Sequence, residues 1–309
     1  MKKFIQIAIY LFVLTFWVQG CEDMEEVETP RFTVTPSAFE VKAGEPVVFT
    51  VDHTPDFLKF YSGEFGHQYE HKDRTNAEGT VTMSFENSQK WGLGSNATGT
   101  LTVWYSGDYD GSGTAEAVNH ATWTEITDRF DISTRYDFEF QSSGVVDITD
   151  LADGNTIYFG FRYFSDNIQD RGAEWYFNDL LIETDVEGAP APLTIATEET
   201  PGFLPVDVQG IVEAWNGAKW YWDSGNGYWR MRGNSDNIVN EDWLITRPLN
   251  LTAVSPDTGE DLKNYSTALS SFEHTYTQPG TYTVTLVGNN TTVYGHKEKM
   301  QEFTITVTE

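Results

Sequence analysis

HTYTQPGTYTVTLVGNN, residues 274–290, decides the fold. Pro279-Gly280 interrupts the chain with a turn, because proline presets its own φ and glycine accepts backbone angles closed to other residues. On the far side Tyr282, Val284 and Leu286 alternate with threonines at period two, so the three apolar groups share one face of a strand. EFTITVT, 302–308, repeats the pattern as a final strand.

Working outward, the opposite end of the chain reads the same way. RFTVTPSAF (31–39), VVFTVD (47–52) and FLKFYSG (58–63) are short alternating runs. The first two are separated by the turn residues Lys42-Ala43-Gly44-Glu45-Pro46. Three opening strands without closing partners stand at one end. Closing strands with only a weak opening, VSPDTGEDLKN (254–264), stand at the other. Two arrangements satisfy this: residues 31–74 and 250–309 build one composite sandwich, or each end forms its own small β domain. The composite is favoured, because neither half alone has enough strands to bury two sheets.

Between them, residues 75–249 are a succession of strands with Gly and Asn turns. TVTMSF (80–85), GTLTVWYSG (99–107), RYDFEF (135–140), NTIYFGFRYF (155–164) and EWYFNDLLIET (174–184) are aromatic and β-branched. None carries a sustained 3.6-residue period. So many antiparallel strands pack naturally as a two-sheet jelly roll. The expected fold class is therefore all-β: an immunoglobulin-like sandwich plus an antiparallel jelly-roll sandwich.

Three resemblances sharpen this. His274, Tyr276, Pro279, Gly280, Tyr282, Val284 and Leu286 match an H-x-Y-x-x-P-G-x-Y-x-V-x-L run, which resembles the closing half of polycystic-kidney-disease-type domains. ATWTEIT (121–127), SSGVVDITDL (142–151), IYFGFRYF (157–164), WYFNDLLI (175–182) and EDWLITRPLNL (241–251) occur in an order that resembles the jelly-roll adhesin domains of Bacteroidetes secreted proteins, related to meprin-type recognition modules. Thr246-Arg247-Pro248 departs from the Ser-Pro of that pattern. With YSGEFGHQY (61–69) added, the whole resembles a family of uncharacterised Bacteroidetes lipoproteins. That resemblance implies fold and location more than activity.

The N-terminus carries its own signal. MKKFIQIAIYLFVLTFWVQG precedes the chain's one cysteine, Cys21. Lys2 and Lys3 lead an apolar run of signal-peptide length, too short and badly flanked for a stable span. Gly20-Cys21 is similar to a bacterial lipobox, although Val18 stands where leucine is usual. The resemblance implies a signal peptide over 1–20 and lipidation of Cys21. An acidic tether would follow over 21–30, like those of lipoproteins displayed outside the outer membrane. The expected location is the outer membrane, facing the exterior.

Charge excludes one class of partner. Acidic residues number 47 against 19 basic, a net −28. Nucleic-acid binding needs concentrated Lys and Arg, so no nucleic-acid partner is expected. With no disulfide available, stability must come from a hydrophobic core or bound cations.

The densest candidate site is WNGAKWYWDSGNGYWRMRG, 215–233. Read as a hairpin, it puts Trp220 and Trp222 on one side and Tyr221 on the other, turns at Asp223–Gly227 and returns through Tyr228–Met231. Trp215, Trp220, Trp222, Tyr228 and Trp229 could stack on sugar rings, with Asp223, Asn226 and Arg230 bonding hydroxyls. The competing reading is that two or three of these tryptophans fill the core. A second candidate is YSGDYDGSGTAE (105–116), where Asp108, Asp110, Ser112, Thr114 and Glu116 alternate as oxygen donors for a structural Ca2+. It lacks a helix–loop–helix setting, and an ordinary acidic turn explains it equally well. His67, Glu70 and His71 lie close together but lack a zinc pattern. There is no G-x-S-x-G elbow or phosphate loop.

The expected function is noncovalent capture of an extracellular polysaccharide or oligosaccharide. The alternative is a protein-adhesion or surface-assembly module. A glycan-active hydrolase stands third and needs two carboxylates facing each other across a cleft.

Overall fold

The computed structural model describes residues 26–90, 101–135, 137–166, 173–210, 219–232 and 239–309. The chain is all-β, as its alternation predicts, with antiparallel sheets stacked into sandwiches. It divides into two compact units. One holds the described residues up to Asp73 together with Pro256–Glu309, and the other holds those of Arg74–Ser255. Among the described residues no helix is long and apolar enough to cross a membrane.

Strands are numbered in chain order. The first unit contains β1 (Thr33–Pro36), β2 (Glu40–Lys42), β3 (Pro46–Asp52), β4 (Phe57–Tyr61), β17 (Glu260–Lys263), β18 (Ser271–Thr275), β19 (Gly280–Thr292) and β20 (Gly295–Thr308). One sheet has the order β1-β3-β18 and the other β17-β4-β19-β20-β2. All of these pairs are antiparallel except β2 with β20. The chain leaves β18 and crosses through Gln278-Pro279 into β19. Val284 and Leu286 are fully buried on the face that alternation assigns them, against Phe49, Phe60 and Ile305. Tyr276 and Tyr282 stack across the turn at 4.6 Å. The buried Tyr276 hydroxyl donates to the Ser62 carbonyl at 3.0 Å, and the Tyr282 hydroxyl to the Gln278 carbonyl at 2.8 Å. The signature residues thus pin the crossover between sheets.

The second unit contains β5 (Gly79–Lys90), β6 (Leu101–Ser106), β7 (Thr124–Glu125), β8 (Gln141–Ser142), β9 (Val146–Asp147), β10 (Tyr158–Ser165), β11 (Glu174–Val186), β12 (Leu193–Thr197), β13 (Phe203–Gln209), β14 (Trp220–Asp223), β15 (Tyr228–Met231) and β16 (Asn240–Thr246). A five-stranded sheet runs β13-β16-β10-β6-β7. A larger sheet runs β14-β15-β11-β5-β8, with β12 on β11 and β9 on β5. Their inner faces meet in one core, where Met83 and Phe85 of β5, Phe159 and Phe161 of β10, Trp175 and Phe177 of β11, and Leu244 of β16 interdigitate. Burying a side chain of this size contributes roughly 1.5–3 kcal/mol.

The outer face of the five-stranded sheet is covered rather than bare. Residues 107–123 fold back over it, carrying the short helix α1 (Ala115–His120). Tyr109, Ala117 and Val118 bury Tyr158, Val206, Trp243 and Ile245. One strand read from the sequence is corrected here, and one segment of the adhesin-like pattern is shorter as β structure than its length suggests. Asp137–Phe140, the described end of RYDFEF, is not a strand, and Phe138 adopts a positive φ of 68°, outside the β region. ATWTEIT keeps only Thr124–Glu125 as β structure, because the preceding residues serve the cover.

Candidate functional site

The 220–231 hairpin is present with the expected turn. β14 and β15 pair antiparallel with Trp220 opposite Met231, Tyr221 opposite Arg230, Trp222 opposite Trp229 and Asp223 opposite Tyr228. Directly opposed residues share a sheet face. The hairpin therefore has two chemically different sides.

The inner side holds the tryptophans. Trp220 is 2% exposed and belongs to the core, so it offers no face to a ligand and the core reading describes it. Trp229 is half-buried against that core and meets Phe203 edge-on at 5.8 Å. Trp222, one pair nearer the turn, is 38% exposed and touches Trp229 at 5.8 Å. Trp215 and Cys21 lie outside the described residues.

The outer side gathers residues from five segments. Tyr221, Arg230, Tyr176 and Ser88 form one row across β14, β15, β11 and β5. Tyr228 sits beside it, perpendicular to Tyr176 at 5.4 Å. The segment before β8 brings Phe138 and Phe140 over this face. Phe138 lies 4.4 Å from Tyr176 and 6.0 Å from Tyr228, and Phe140 lies 5.8 Å from Tyr228. Phe138 holds this ring contact from a backbone with a positive φ of 68°. Tyr176 is buried, whereas Tyr228, Phe138 and Phe140 remain half-buried and reachable.

A charged pair anchors the cluster. The Arg230 guanidinium donates to Glu174 Oε2 at 2.6 Å, and the Tyr176 hydroxyl donates to the same oxygen at 2.8 Å. Glu174 is almost wholly buried. Burial disfavours the Arg230 charge, yet the hydrogen bond and charge of Glu174 outweigh it and hold the guanidinium above its ordinary value. Burial first, and then Glu174, pushes the Tyr176 phenol well up, so it stays a donor. Burial and the Asp223 carboxylate raise Tyr228 as well.

The remaining sequence candidates serve the turn. Asp223 accepts from the Gly225 amide at 3.2 Å and from Asn226 Nδ2 at 3.0 Å. The Asp223 carbonyl accepts from the amides of Asn226 and Gly227. Asp223 and Asn226 thus fix the hairpin tip. Arg230 and Tyr228 are where the aromatic cluster forms. Tyr176, Phe138, Phe140 and Glu174 went unrecognised from sequence. Tyr176 reads as an ordinary strand residue, and the phenylalanines read as strand alternation.

The acidic loop is locally engaged. Asp108 Oδ1 accepts from Ser106 Oγ at 2.8 Å and from the Thr122 amide at 2.7 Å. Asp110 Oδ1 accepts from the Ser112 amide at 2.8 Å. The hydrogen bonds of Thr122 and Ser112 hold the two carboxyls below the usual aspartate range. Thr114 caps α1 by accepting from the Ala117 amide, Ser112 Oγ lies 3.2 Å from Thr114 Oγ1, and Glu116 stands in the first helical turn. Among the described residues, no three His, Cys, Asp or Glu side chains gather as a metal set. His67 meets the Thr258 carbonyl at 2.6 Å, and His274 meets Glu64 at 2.8 Å, both holding loops.

Comparison with known proteins adds a family. The family described as Domain of unknown function (DUF5017) matches residues 20–203, more than half of the chain. The protein belongs to the DUF5017 family. In DUF5017 terms, the matched span ends at the start of β13, so the Tyr176 and Phe138 side of the cluster lies within it and the 220–231 hairpin lies beyond it. No curated protein and no solved structure matches this chain.

Proposed function

We propose that this DUF5017 protein is a surface lipoprotein of the outer membrane, anchored through Cys21, that holds an extracellular glycan noncovalently on the outer face of its larger sheet. The observation that carries the reading is the aromatic group formed by Tyr228, Phe138 and Phe140 around Tyr176, with the Arg230–Glu174 pair at its base. Aromatic faces stack on the apolar faces of sugar rings, and fixed donors and acceptors orient the hydroxyls. The acidic surface keeps such a protein soluble without assisting nucleic-acid binding.

The test is a glycan array with the purified protein, followed by Tyr228→Ala and Phe140→Ala. The reading expects binding to one glycan class, lost in both variants while their unfolding midpoints stay near that of the parent. Folded parent protein that binds no glycan, or binding untouched by Tyr228→Ala, would sink it.

Trp222 favours a second reading. It is exposed on β14, an edge strand, and edge strands and exposed tryptophans both serve protein interfaces. A protein partner lost with Trp222→Ala, in a variant that still binds its glycan, would assign that edge to adhesion.

A further inference from the structure

One end of the first unit is apolar where hairpin chemistry calls for polar residues. The turn joining β19 to β20 is Val293-Tyr294, set between the paired Thr292 and Gly295. Turns this short favour Gly, Asn and Asp, which accept the tight backbone and suit water. Here the side chains are a β-branched aliphatic, 92% exposed, and an aromatic, 64% exposed. Tyr265, in the turn that follows β17, is 73% exposed.

Asp56 ties these turns to the same end of the unit. Its amide donates to Asn290 Oδ1 at 3.0 Å, and its carboxylate accepts from the Thr291 amide at 3.1 Å. Its carbonyl accepts from Lys263 Nζ at 3.0 Å, at the close of β17. β17 and β19 both run antiparallel to β4 and pass its Phe57 end on the way to these turns. The hairpin tip and the Tyr265 turn therefore project from one end.

The N-terminal lead-in leaves by that end as well. Followed from Val34 back to Glu26, it tracks β20 toward the tip. Val34 exchanges two hydrogen bonds with the Gln301 side chain, at 2.9 and 2.6 Å. The Phe32 carbonyl accepts from Lys299 Nζ at 3.3 Å, the Glu28 carbonyl accepts from Asn290 Nδ2 at 3.1 Å, and Glu26 pairs with Lys297 at 2.7 Å. Val27 is buried, so this stretch is docked on the sandwich. Five residue steps separate Cys21 from Glu26, a reach of at most about 17 Å.

We propose that, given the Cys21 anchor of the proposed function, the Val293-Tyr294 tip and the Tyr265 turn dock into the interfacial layer of the bilayer that holds the anchor, and so set which end of this unit faces the membrane. A tyrosine ring suits the headgroup layer, and a valine suits the acyl boundary beneath it. A net charge of −28 gives anionic headgroups little to attract, so the contact is apolar. Three side chains alone would bind a membrane weakly. The short anchor supplies a high effective concentration, and the tip supplies orientation.

The experiment places a thiol-linked fluorophore at Tyr294→Cys in the full chain, reconstituted into phosphatidylethanolamine–phosphatidylglycerol vesicles that carry nitroxide-labelled lipid. Cys21 is the chain's one cysteine, so its acylation leaves the introduced thiol alone to take the label. Phe39→Cys is the comparison. Phe39 is exposed beside Thr306, eleven residues on from Gly295 along β20 and so roughly 35 Å from the tip. Lipid nitroxides should quench the probe at the tip about threefold or more over the probe at Phe39. Tyr265→Cys repeats the test should the tip variant fail to fold. Equal quenching at the two ends, with Cys21 acylated by mass, overturns this proposal alone. A mature chain with unmodified Cys21 overturns the anchor and this proposal with it. A shielded tip probe that lipid nitroxides do not reach, as in a dimer of this chain, overturns the proposal too.

Discussion

Arg230 reaches across from β15 to place its guanidinium 2.6 Å from the carboxylate of Glu174 on β11, and Glu174 has no appreciable route to water. The pair is the polar floor beneath the half-buried rings of Tyr228 and Phe138. Its geometry makes the aromatic group dependent on a charge balance that the surface does not reveal.

Arg230→Ala strands a buried carboxylate. It should destabilise the fold by about 3 kcal/mol, since removing one partner of a buried pair leaves the other charge uncompensated. Urea unfolding of Arg230→Ala, Glu174→Gln and the double variant measures it. The double variant should be less destabilised than the sum of the two singles. Strict additivity would show that the pair is not coupled.

Trp220 and Tyr228 stand only eight positions apart but should behave oppositely. Trp220→Ala removes a buried indole and should cost about 3–5 kcal/mol. Tyr228→Ala at a half-buried ring should cost roughly 1 kcal/mol or less, and on the proposed function it abolishes glycan binding. Chemical denaturation paired with binding separates the two effects.

Asp242 should give the protein a distinctive pH dependence. Its folded value, pushed up to about 9 by burial and then by Asp207 opposite it on β13, lies above its ordinary 3.8. Between those limits the folded state holds a proton that the unfolded state has released. The stabilisation it contributes is complete below about pH 4 and falls as pH rises toward 9. Denaturation midpoints across that range should decline, and Asp242→Asn should flatten the decline. A variant with the parent slope would refute the assignment.

Tyr276→Phe should cost about 1–3 kcal/mol, because the Ser62 carbonyl loses its donor in a closed setting. The variant should unfold earlier in urea with an unchanged slope. A neutral result would mean that water takes the place of the hydroxyl.

How far the sequence speaks depends on what each residue does. Period-two alternation in β19 reports burial directly, so Val284 and Leu286 were legible. The hairpin at 220–231 was legible too, since Asp223–Gly227 can do little but turn. The division of its aromatics between faces was only half legible. Alternation separates Trp220 from Tyr221, but it cannot say which face meets a second sheet. Phe138 and Phe140 mislead for a physical reason. A positive φ leaves no mark on a phenylalanine, so a loop carrying rings to a sheet face looks like a strand. The Asp207–Asp242 contact joins residues thirty-five positions apart, and only register brings them opposite.

The pairing of β3 with β18 and of β2 with β20 sets an order on synthesis. β1 can pair with β3 as soon as both emerge, yet the other edge of β3 and the partners of β2 and β4 wait for residues 260–308. Strands β5–β16 are all finished before that, so the inserted sandwich can collapse while β1–β4 still wait. Until then those edges stay open and prone to aggregate, so the nascent chain depends on whatever shields them.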